Sequence, residues 1–264
     1  MPNSPRRGAR RPGDVPLDVL TALEHGAQSA NHMEQIAMDM GTLLTTQFPD
    51  IAPRADELRG VGLVVRMRNG GRLLLEEIGL EVAYTAATWP SDTTRGWAAM
   101  AVGAAPGLPL DRRLQLIQPF ADDAHFAVRE WAWLSLRPCI AENVPEAIEV
   151  LAGWTCETSP RLRRFASEVT RPRGVWSIHL PLLKRRPQLG MPILDPLRAD
   201  PSRYVQDSVS NWLNDAAKSQ PDWVLGVCRG WQAVHPLVET TRICRRGCRS
   251  IPADYRPSPR IFDC

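Results

Sequence analysis

The segment AHFAVREWAWLSL at residues 124–136 recurs three more times in looser form. The later copies are SPRLRRFASEVTR (159–171), PSRYVQDSVSNWL (201–213) and HPLVETTRICRRG (235–247). The copies align at intervals of 34, 43 and 33 residues, and their shared position holds Ala127, Arg161, Tyr204 and Leu237. Apolar residues within each copy return every three or four positions, which is the spacing of one buried helix face. The copies therefore predict one helix that repeats along the chain.

A second, more apolar helix is predicted before each copy. Its segments are LIQPF (116–120), AIEVLAGW (147–154), MPILDPLRA (191–199) and WVLGVCRGW (223–231). Two helices per unit of roughly 35–45 residues are typical of HEAT-like repeats, whose inner helices line a concave surface. The sequence predicts an all-α chain, built as an α-solenoid of about six HEAT-like helix pairs with a concave basic groove.

The composition is that of a soluble globular protein and excludes several classes. Hydrophobic residues make up 44% of the 264 positions and charged residues 23%. No uninterrupted apolar run reaches the roughly 18 residues of a membrane span. The six cysteines include no C-x-x-C pair, the five histidines lack metal-ligand spacing, and no Gly-rich phosphate loop is present. We therefore expect a cytoplasmic monomer that uses no cofactor and binds neither a metal nor a membrane.

The chain divides into three segments by composition. The first stretch, MPNSPRRGARRPG, combines Pro and Gly with four Arg and predicts a disordered basic arm at 1–13. The helical repeat domain is predicted to cover 14–251. Three prolines fall within 252–264, which predicts an irregular C-terminal tail.

Charge is distributed unevenly along the chain. Residues 161–264 carry 18 basic and 9 acidic side chains, whereas residues 13–160 carry 10 basic and 20 acidic ones. The basic C-terminal part indicates an anionic partner, with nucleic acid as the first candidate. The alternative is that Arg simply takes the place of Lys, because Lys184 and Lys218 are the only lysines. Composition alone leaves both interpretations open.

Tryptophan is unusually frequent, with nine residues against three Tyr. In a helical repeat most of these side chains are expected in the core. Trp176 differs because Pro172 and Gly174 end the preceding helix, so it is predicted on a loop with cationic neighbours. Whether it is a functional surface aromatic or an ordinary one stays open at this point.

Three acids, Glu130, Glu168 and Asp215, fall on the second helix of their repeats. One interpretation pairs them with helical neighbours in surface ion pairs, because Arg164 lies four residues before Glu168 and Lys218 three after Asp215. The other interpretation considers the residues that surround these acids in the sequence. Carboxylates in an Arg-rich region beside an exposed indole suit a cationic substrate that is held on an anionic polymer.

Several segments together resemble a known family. The similarity is carried by FADDAHFAVREWAWLSLRP (120–138), RRFASEVTRPRGVW (163–176) and ADPSRYVQDSVSNWLNDAAKSQPDWV (199–224), with LEHGAQSANHMEQIAMDMGTLL (23–44) and WPSDTTRGWAAMAV (89–102). The chain resembles the bacterial AlkC/AlkD superfamily of HEAT-like-repeat alkylpurine DNA glycosylases over residues 17–251, and is closer to AlkC. The Ig-like C-terminal domain of some AlkC proteins is expected to be absent, because only a short tail follows Ile251.

The resemblance implies a DNA glycosylase of base excision repair that acts on cationic N-alkylated bases, such as 3-methyladenine, in double-stranded DNA. Matching motif positions imply catalytic roles for Glu168 and Asp215, an aromatic contact from Trp176 and a supporting role for Glu130. Phosphate contacts are expected from cationic side chains of the concave side: Arg163, Arg171, Arg173, Lys184, Arg203, Lys218, Arg242, Arg245 and Arg246. Such an enzyme would be cytoplasmic and associated with the nucleoid when bound to DNA.

Two other functions share these residues and remain open. One is a non-catalytic HEAT-repeat scaffold that binds DNA or a protein. The other is a resistance glycosylase for bulky natural-product adducts, which would differ only in the size of its pocket.

Overall fold

The computed structural model describes residues 6–252, and these residues form helices and turns without any β-strand. The α-helices are α1 (Leu17–Glu24), α2 (His32–Ala37), α3 (Met40–Gln47), α4 (Leu63–Glu77), α5 (Val82–Thr85), α6 (Asp92–Ala104), α7 (Leu110–Ala121), α8 (Phe126–Glu142), α9 (Val144–Ala152), α10 (Pro160–Val169), α11 (Pro181–Arg185), α12 (Met191–Leu194), α13 (Arg203–Ala217), α14 (Pro221–Val234) and α15 (Val238–Gly247). Short 3-10 helices lie at Pro12–Asp14, Pro49–Leu58, Ala86–Thr88, Gly153–Cys156 and Pro187–Gly190. The predicted all-α class is confirmed.

The predicted helix pairs match the observed helices. Each copy of the repeat begins a helix within two residues of the same position: the shared residue is the second residue of α8, α10 and α13 and the N-cap of α15. The more apolar segments before the copies lie in α7, α9, α12 and α14, with short 3-10 or turn extensions after α9 and α12. None of the helices within residues 6–252 combines the length and apolar composition that crossing a bilayer requires.

The chain forms two compact units, Met1–Leu136 and Arg137–Cys264. In the first unit α4 packs directly on α6. The close approach depends on two glycines of α4, because a Cβ atom at Gly70 would lie 2.4 Å from Trp97 Nε1 and one at Gly71 would lie 2.4 Å from Met100 Cβ. Gly70 and Gly71 separate two apolar stretches in the sequence, and in the structure they form the contact surface of one continuous helix.

In the second unit the second helices of successive pairs form one layer. Helix α10 packs on α13, and α13 packs on α15, while α12 packs beside α9. The apolar faces of these helices are buried and include Phe165, Val209, Trp212, Leu213 and Ile243. This layer brings Glu168 on α10 next to the helix that carries Asp215.

An arginine–aspartate pair recurs at the starts of second helices. Arg95 in α6 donates from Nε to Asp123 Oδ2 at 2.8 Å, and Arg163 in α10 donates in the same way to Asp200 Oδ2 at 2.6 Å. Each arginine also binds the two backbone carbonyls five and six residues before it, and each aspartate accepts the backbone N–H two residues after it. These contacts join one repeat to the turn that begins the next.

The described part of the predicted arm lies against the first unit. Arg6 donates from both Nη atoms to the two carboxylate oxygens of the buried Glu34, each at 2.6 Å, and Asn31 Nδ2 donates to Ala9 O. This bidentate pair could not be predicted from the sequence pattern, because its two residues lie 28 positions apart. The predictions for residues 1–5 and for the tail beyond residue 252 concern positions outside the described residues.

Candidate active site

Trp176 lies on the loop that follows α10, residues 171–180, which we call the Trp176 loop. The backbone N–H of Leu180 donates to Pro172 O at 3.0 Å and closes it. Of the nine tryptophans, all of which fall in the described part of the chain, Trp176 alone is exposed, at 56%. Its φ of 58° is left-handed, a conformation that costs a bulky residue about 1–2 kcal/mol. The loop therefore presents an indole to solvent on a strained backbone.

The side chain of Arg137, from α8, lies buried beneath this loop. It donates from Nε to Ile178 O at 3.0 Å, from Nη1 to Val169 O at 2.7 Å and from Nη2 to Arg171 O. Burial, with repulsion from Arg171, lowers the pKa of Arg137 to about 10, so the guanidinium is charged at neutral pH. Arg137 was not among the predicted site residues, and its only signal in the sequence is a lone Arg in the apolar run WAWLSLRPC.

Glu168 and Asp215 are joined by a single guanidinium, that of Arg171. Arg171 Nη1 donates to Glu168 Oε1 at 2.6 Å, while its Nε and Nη2 atoms lie 2.9 and 2.8 Å from Asp215 Oδ2. Both acids are 4% exposed. The stacking of neighbouring second helices thus brings the two carboxylates together, with a cation between them.

The carboxylate of Glu168 is fully occupied by protein groups. Its Oε2 atom accepts from Ser208 Oγ at 2.7 Å and lies 3.6 Å from Arg164 Nη2. Burial by itself would raise the pKa of Glu168, but the charges of Arg164 and Arg171 and the Ser208 hydrogen bond hold that pKa below its usual value. Glu168 is therefore ionised at neutral pH and orients Arg171.

One carboxylate oxygen of Asp215 makes only a long contact with the protein. Its Oδ1 atom lies 3.6 Å from Lys218 Nζ and accepts no hydrogen bond from the described residues. The backbone carbonyl of Asp215 accepts from Arg173 Nε at 3.2 Å, which ties the Trp176 loop to the end of α13. Among the carboxylate oxygens of Glu168 and Asp215, Oδ1 is thus the one that accepts no hydrogen bond from the described residues.

The surface ion pairs considered from the sequence explain only part of this geometry. Arg164 and Lys218 do approach Glu168 and Asp215, each at 3.6 Å. The shorter contacts go to Arg171, and both carboxylates are buried rather than on the helix surface. The two acids therefore belong to one buried network with Arg171 at its centre.

The cations expected to bind phosphate fall into two groups. Five contact protein groups in the second unit: Arg163 binds Asp200, Arg171 binds the two acids, Arg173 binds Asp215 O and Ser219 Oγ, and Arg242 and Arg246 approach Asp207. The other four are partly or fully exposed, namely Lys184, Arg203, Lys218 and Arg245, of which Lys218 also lies 3.6 Å from Asp215 Oδ1. The exposed group is the better placed to meet a ligand.

Glu130 lies in the first unit, on α8, where its Oε2 atom accepts from Trp133 Nε1 at 2.9 Å. Trp131 and Trp133 themselves are buried, as predicted for most tryptophans. Among residues 6–252 no group of three His, Cys, Asp or Glu side chains is arranged to hold a metal ion.

Glu168 should make folding depend on acid pH. A carboxylate whose folded-state pKa lies below its ordinary value of 4.5 stabilises the fold fully above that value, and this contribution is lost as the pH falls through the lower folded-state pKa. We expect Glu168→Gln to lower the free energy of unfolding at pH 7 by about 3 kcal/mol and to flatten its decline below pH 4.5. Denaturant titrations from pH 7 into the acid range, with Glu149→Gln on the exposed face of α9 as the control, measure both effects. Parallel pH curves for wild type and Glu168→Gln would contradict the assignment.

Comparisons with known proteins agree with this architecture. No family model matches the chain. A segment of 102 residues, 39% of the chain, is 37% identical to the uncharacterized protein YhaZ of Bacillus subtilis (strain 168), of which it covers 29%. The structure is similar to that of the Pseudomonas fluorescens alkylpurine DNA glycosylase AlkC bound to DNA containing an abasic site analog, with a TM-score of 0.65 and 23% sequence identity.

The similarity to AlkC extends over 92% of this chain and 65% of the AlkC chain. The chain therefore spans slightly less than two thirds of that protein. The likeness confirms the predicted fold, which is shared with AlkC.

Proposed function

We propose that the protein is a DNA glycosylase that hydrolyses the N-glycosidic bond of cationic N-alkylated bases, such as 3-methyladenine, in double-stranded DNA. The observation that carries the proposal is the pairing of an exposed, strained Trp176 with a buried carboxylate pair at the base of the same loop. The shared fold with AlkC, whose structure was solved with DNA, supports it.

The chemistry needs negative charge more than it needs a proton donor. A base alkylated at N3 of adenine already carries a positive charge, so it leaves without a general acid. The barrier lies in the sugar, which becomes an oxocarbenium-like cation, and a fixed carboxylate in a partly dry site stabilises that charge. Asp215 Oδ1 accepts no hydrogen bond from the described residues, and we assign the stabilisation of the sugar cation to this oxygen.

The other residues of the network have supporting roles in this proposal. Glu168 holds Arg171, and Arg171 fixes the rotamer of Asp215 through Oδ2. Trp176 offers its indole face to the cationic base or sugar, an attraction that reaches about 2 kcal/mol when water is excluded. Glu130 is kept as a supporting acid on the resemblance alone.

Phosphate binding falls to the exposed cations of the second unit, and it should depend steeply on salt. The logarithm of the binding constant for undamaged duplex DNA is expected to fall linearly with the logarithm of salt concentration, without sequence preference. Each of Arg203→Ala, Lys218→Ala and Arg245→Ala should reduce that slope by about 1. Fluorescence anisotropy between low and moderate salt measures the slopes, with Arg229→Ala on α14, a first helix, as the control. A flat salt dependence in the wild type would contradict phosphate binding.

The experiment that separates an enzyme from a scaffold is the formation of abasic sites. Duplex DNA treated with a methylating agent is incubated with the protein and then cleaved by alkali at any abasic position. Strand breaks that grow with time and protein concentration support the glycosylase. Tight DNA binding with no breaks would favour the non-catalytic scaffold, an alternative consistent with the fully occupied Glu168 carboxylate.

A further inference from the structure

One side chain holds both ends of the Trp176 loop. Arg137 donates to Arg171 O, where the loop begins, and to Ile178 O at 3.0 Å, near its end. A third donor binds Val169 O at 2.7 Å, the last residue of α10. The exposed indole at position 176 lies between these two fixed points.

A guanidinium is the side chain that suits this task. Its planar fork carries five N–H donors in fixed directions, so it can bind diverging carbonyls that a single ammonium cannot reach together. All hydrogen-bond acceptors of Arg137 among the described residues are backbone carbonyls. Burying a cation without a hydrogen-bonded carboxylate costs free energy, which the C-terminal end of α10 and the nearby charges of Glu168 and Asp215 offset.

The first unit contains an arginine in a similar position, Arg113, but the segment that it contacts contains no tryptophan. Arg113 is also buried, and it binds the carbonyls of Val102, Gly103 and Ala105 at the end of α6. The two arginines share the same structural task of satisfying carbonyls at a helix end. They differ in the segment that follows the helix, because only the loop after α10 contains an exposed tryptophan, Trp176.

We infer that Arg137 is a positioning residue: it fixes the backbone of the Trp176 loop and thereby the orientation of the indole against the damaged nucleotide. The second half of this statement rests on the proposed function, and the first half does not. A left-handed tryptophan persists only where its surroundings hold it. In addition to the Leu180–Pro172 backbone hydrogen bond and the contact of Arg173 with Asp215 O, Arg137 binds the loop at both ends. Releasing them lets position 176 relax and moves the indole away from its contact.

The consequence for the reaction is a loss of rate rather than of DNA affinity. The phosphate-binding cations Arg203, Lys218 and Arg245 lie on other elements, so the dissociation constant for DNA should change by less than about 3-fold. A displacement of about 1 Å at a catalytic contact lowers a rate by as much as about 10²-fold. We expect Arg137→Lys to lower the single-turnover excision rate by about 10-fold to 10²-fold at saturating protein.

The test combines a spectroscopic and a kinetic measurement on the full chain. The protein is labelled with 5-fluorotryptophan, and the Trp176 fluorine resonance is assigned by its loss in Trp176→Phe. We expect that resonance to shift or broaden in Arg137→Lys and to stay unchanged in Arg113→Lys, although both variants lose carbonyl hydrogen bonds and stability. Arg137→Gln, which keeps two donors without the charge, gives the same comparison if Arg137→Lys does not fold.

The outcomes separate the inference from the proposed function. An unchanged Trp176 resonance in a folded Arg137 variant would overturn the positioning role, whatever the activity. A shifted resonance with a wild-type excision rate would overturn its link to catalysis. If the wild type excises nothing, the proposed function fails, and the fluorine spectra still decide whether Arg137 sets the loop.

Discussion

Asp215→Asn is expected to lower the single-turnover rate of base excision by about 10²-fold or more, with DNA affinity unchanged or higher. The carboxamide has nearly the shape of the carboxylate and can still accept from Arg171, but it lacks the negative charge that the proposed function assigns to stabilising the oxocarbenium-like sugar. Affinity should not fall, because one charge that repels phosphate is removed. Single-turnover assays on methylated duplex DNA, with anisotropy for binding, measure both quantities.

Folding must be controlled because Asp215 accepts from Arg171 inside the network. Losing one charged hydrogen bond costs about 1.5–3 kcal/mol, so thermal melts should show a less stable but folded protein. Glu168→Gln should also reduce the rate by about 10²-fold, since it releases Arg171 from its second anchor. Glu149→Gln serves as the matched acid control. A folded Asp215→Asn protein that excises at the wild-type rate would end the catalytic assignment of this residue.

Trp176→Ala should reduce the excision rate by about 30-fold without destabilising the fold. A desolvated cation–π contact of about 2 kcal/mol corresponds to this factor. The indole is 56% exposed and its backbone is left-handed, so the fold loses little packing when it is removed. Trp176→Gly should even raise the melting temperature slightly, because glycine adopts a φ of 58° without strain.

The control for this prediction is Val175→Ala on the same loop, whose side chain is 54% exposed. It removes a neighbouring apolar group and leaves the indole in place, so it should excise at nearly the wild-type rate. Equal losses in Trp176→Ala and Val175→Ala would indicate that the loop acts through its general surface. A stability loss as large as that of a buried tryptophan would contradict the exposed position of Trp176.

The fold could be predicted because its repeats are local in sequence. Helical spacing and the alignment of four copies depend on residues a few positions apart, and helices α8, α10, α13 and α15 begin within two residues of where that alignment places them. Trp176 could be assigned to a loop for the same reason, since Pro172 and Gly174 disfavour a helix at their own positions, a few residues away in the sequence.

The hydrogen bonds of the site could not be predicted in the same way. Arg171 was expected to contact phosphate, yet it joins Glu168 to Asp215, which lies 44 residues further on. Arg137 reaches carbonyls 32 to 41 residues away. Such contacts depend on how two helices cross and which rotamers then fit, and a single sequence pattern does not encode either.

The arginine–aspartate pairs are an intermediate case. Arg129 and Arg163 share one register position, and each donates to the backbone carbonyls five and six residues before it. Asp123 and Asp200 each directly precede a copy of the repeat. A comparison of the copies for polar positions as well as apolar ones would have indicated a structural role for Arg163, which binds Asp200 at 2.6 Å. Its predicted contact with phosphate has to compete with that bond.

The central claim is that this protein releases a cationic alkylated base from DNA. Mass spectrometry of the small molecules released from methylated duplex DNA tests it most directly, because it identifies the base and needs no assumption about the strand. We expect free 3-methyladenine to appear with wild-type protein, and to appear at least about 10²-fold more slowly with Asp215→Asn. Intact alkylated DNA and no free base, under conditions where the folded wild-type protein binds the duplex, would contradict the account.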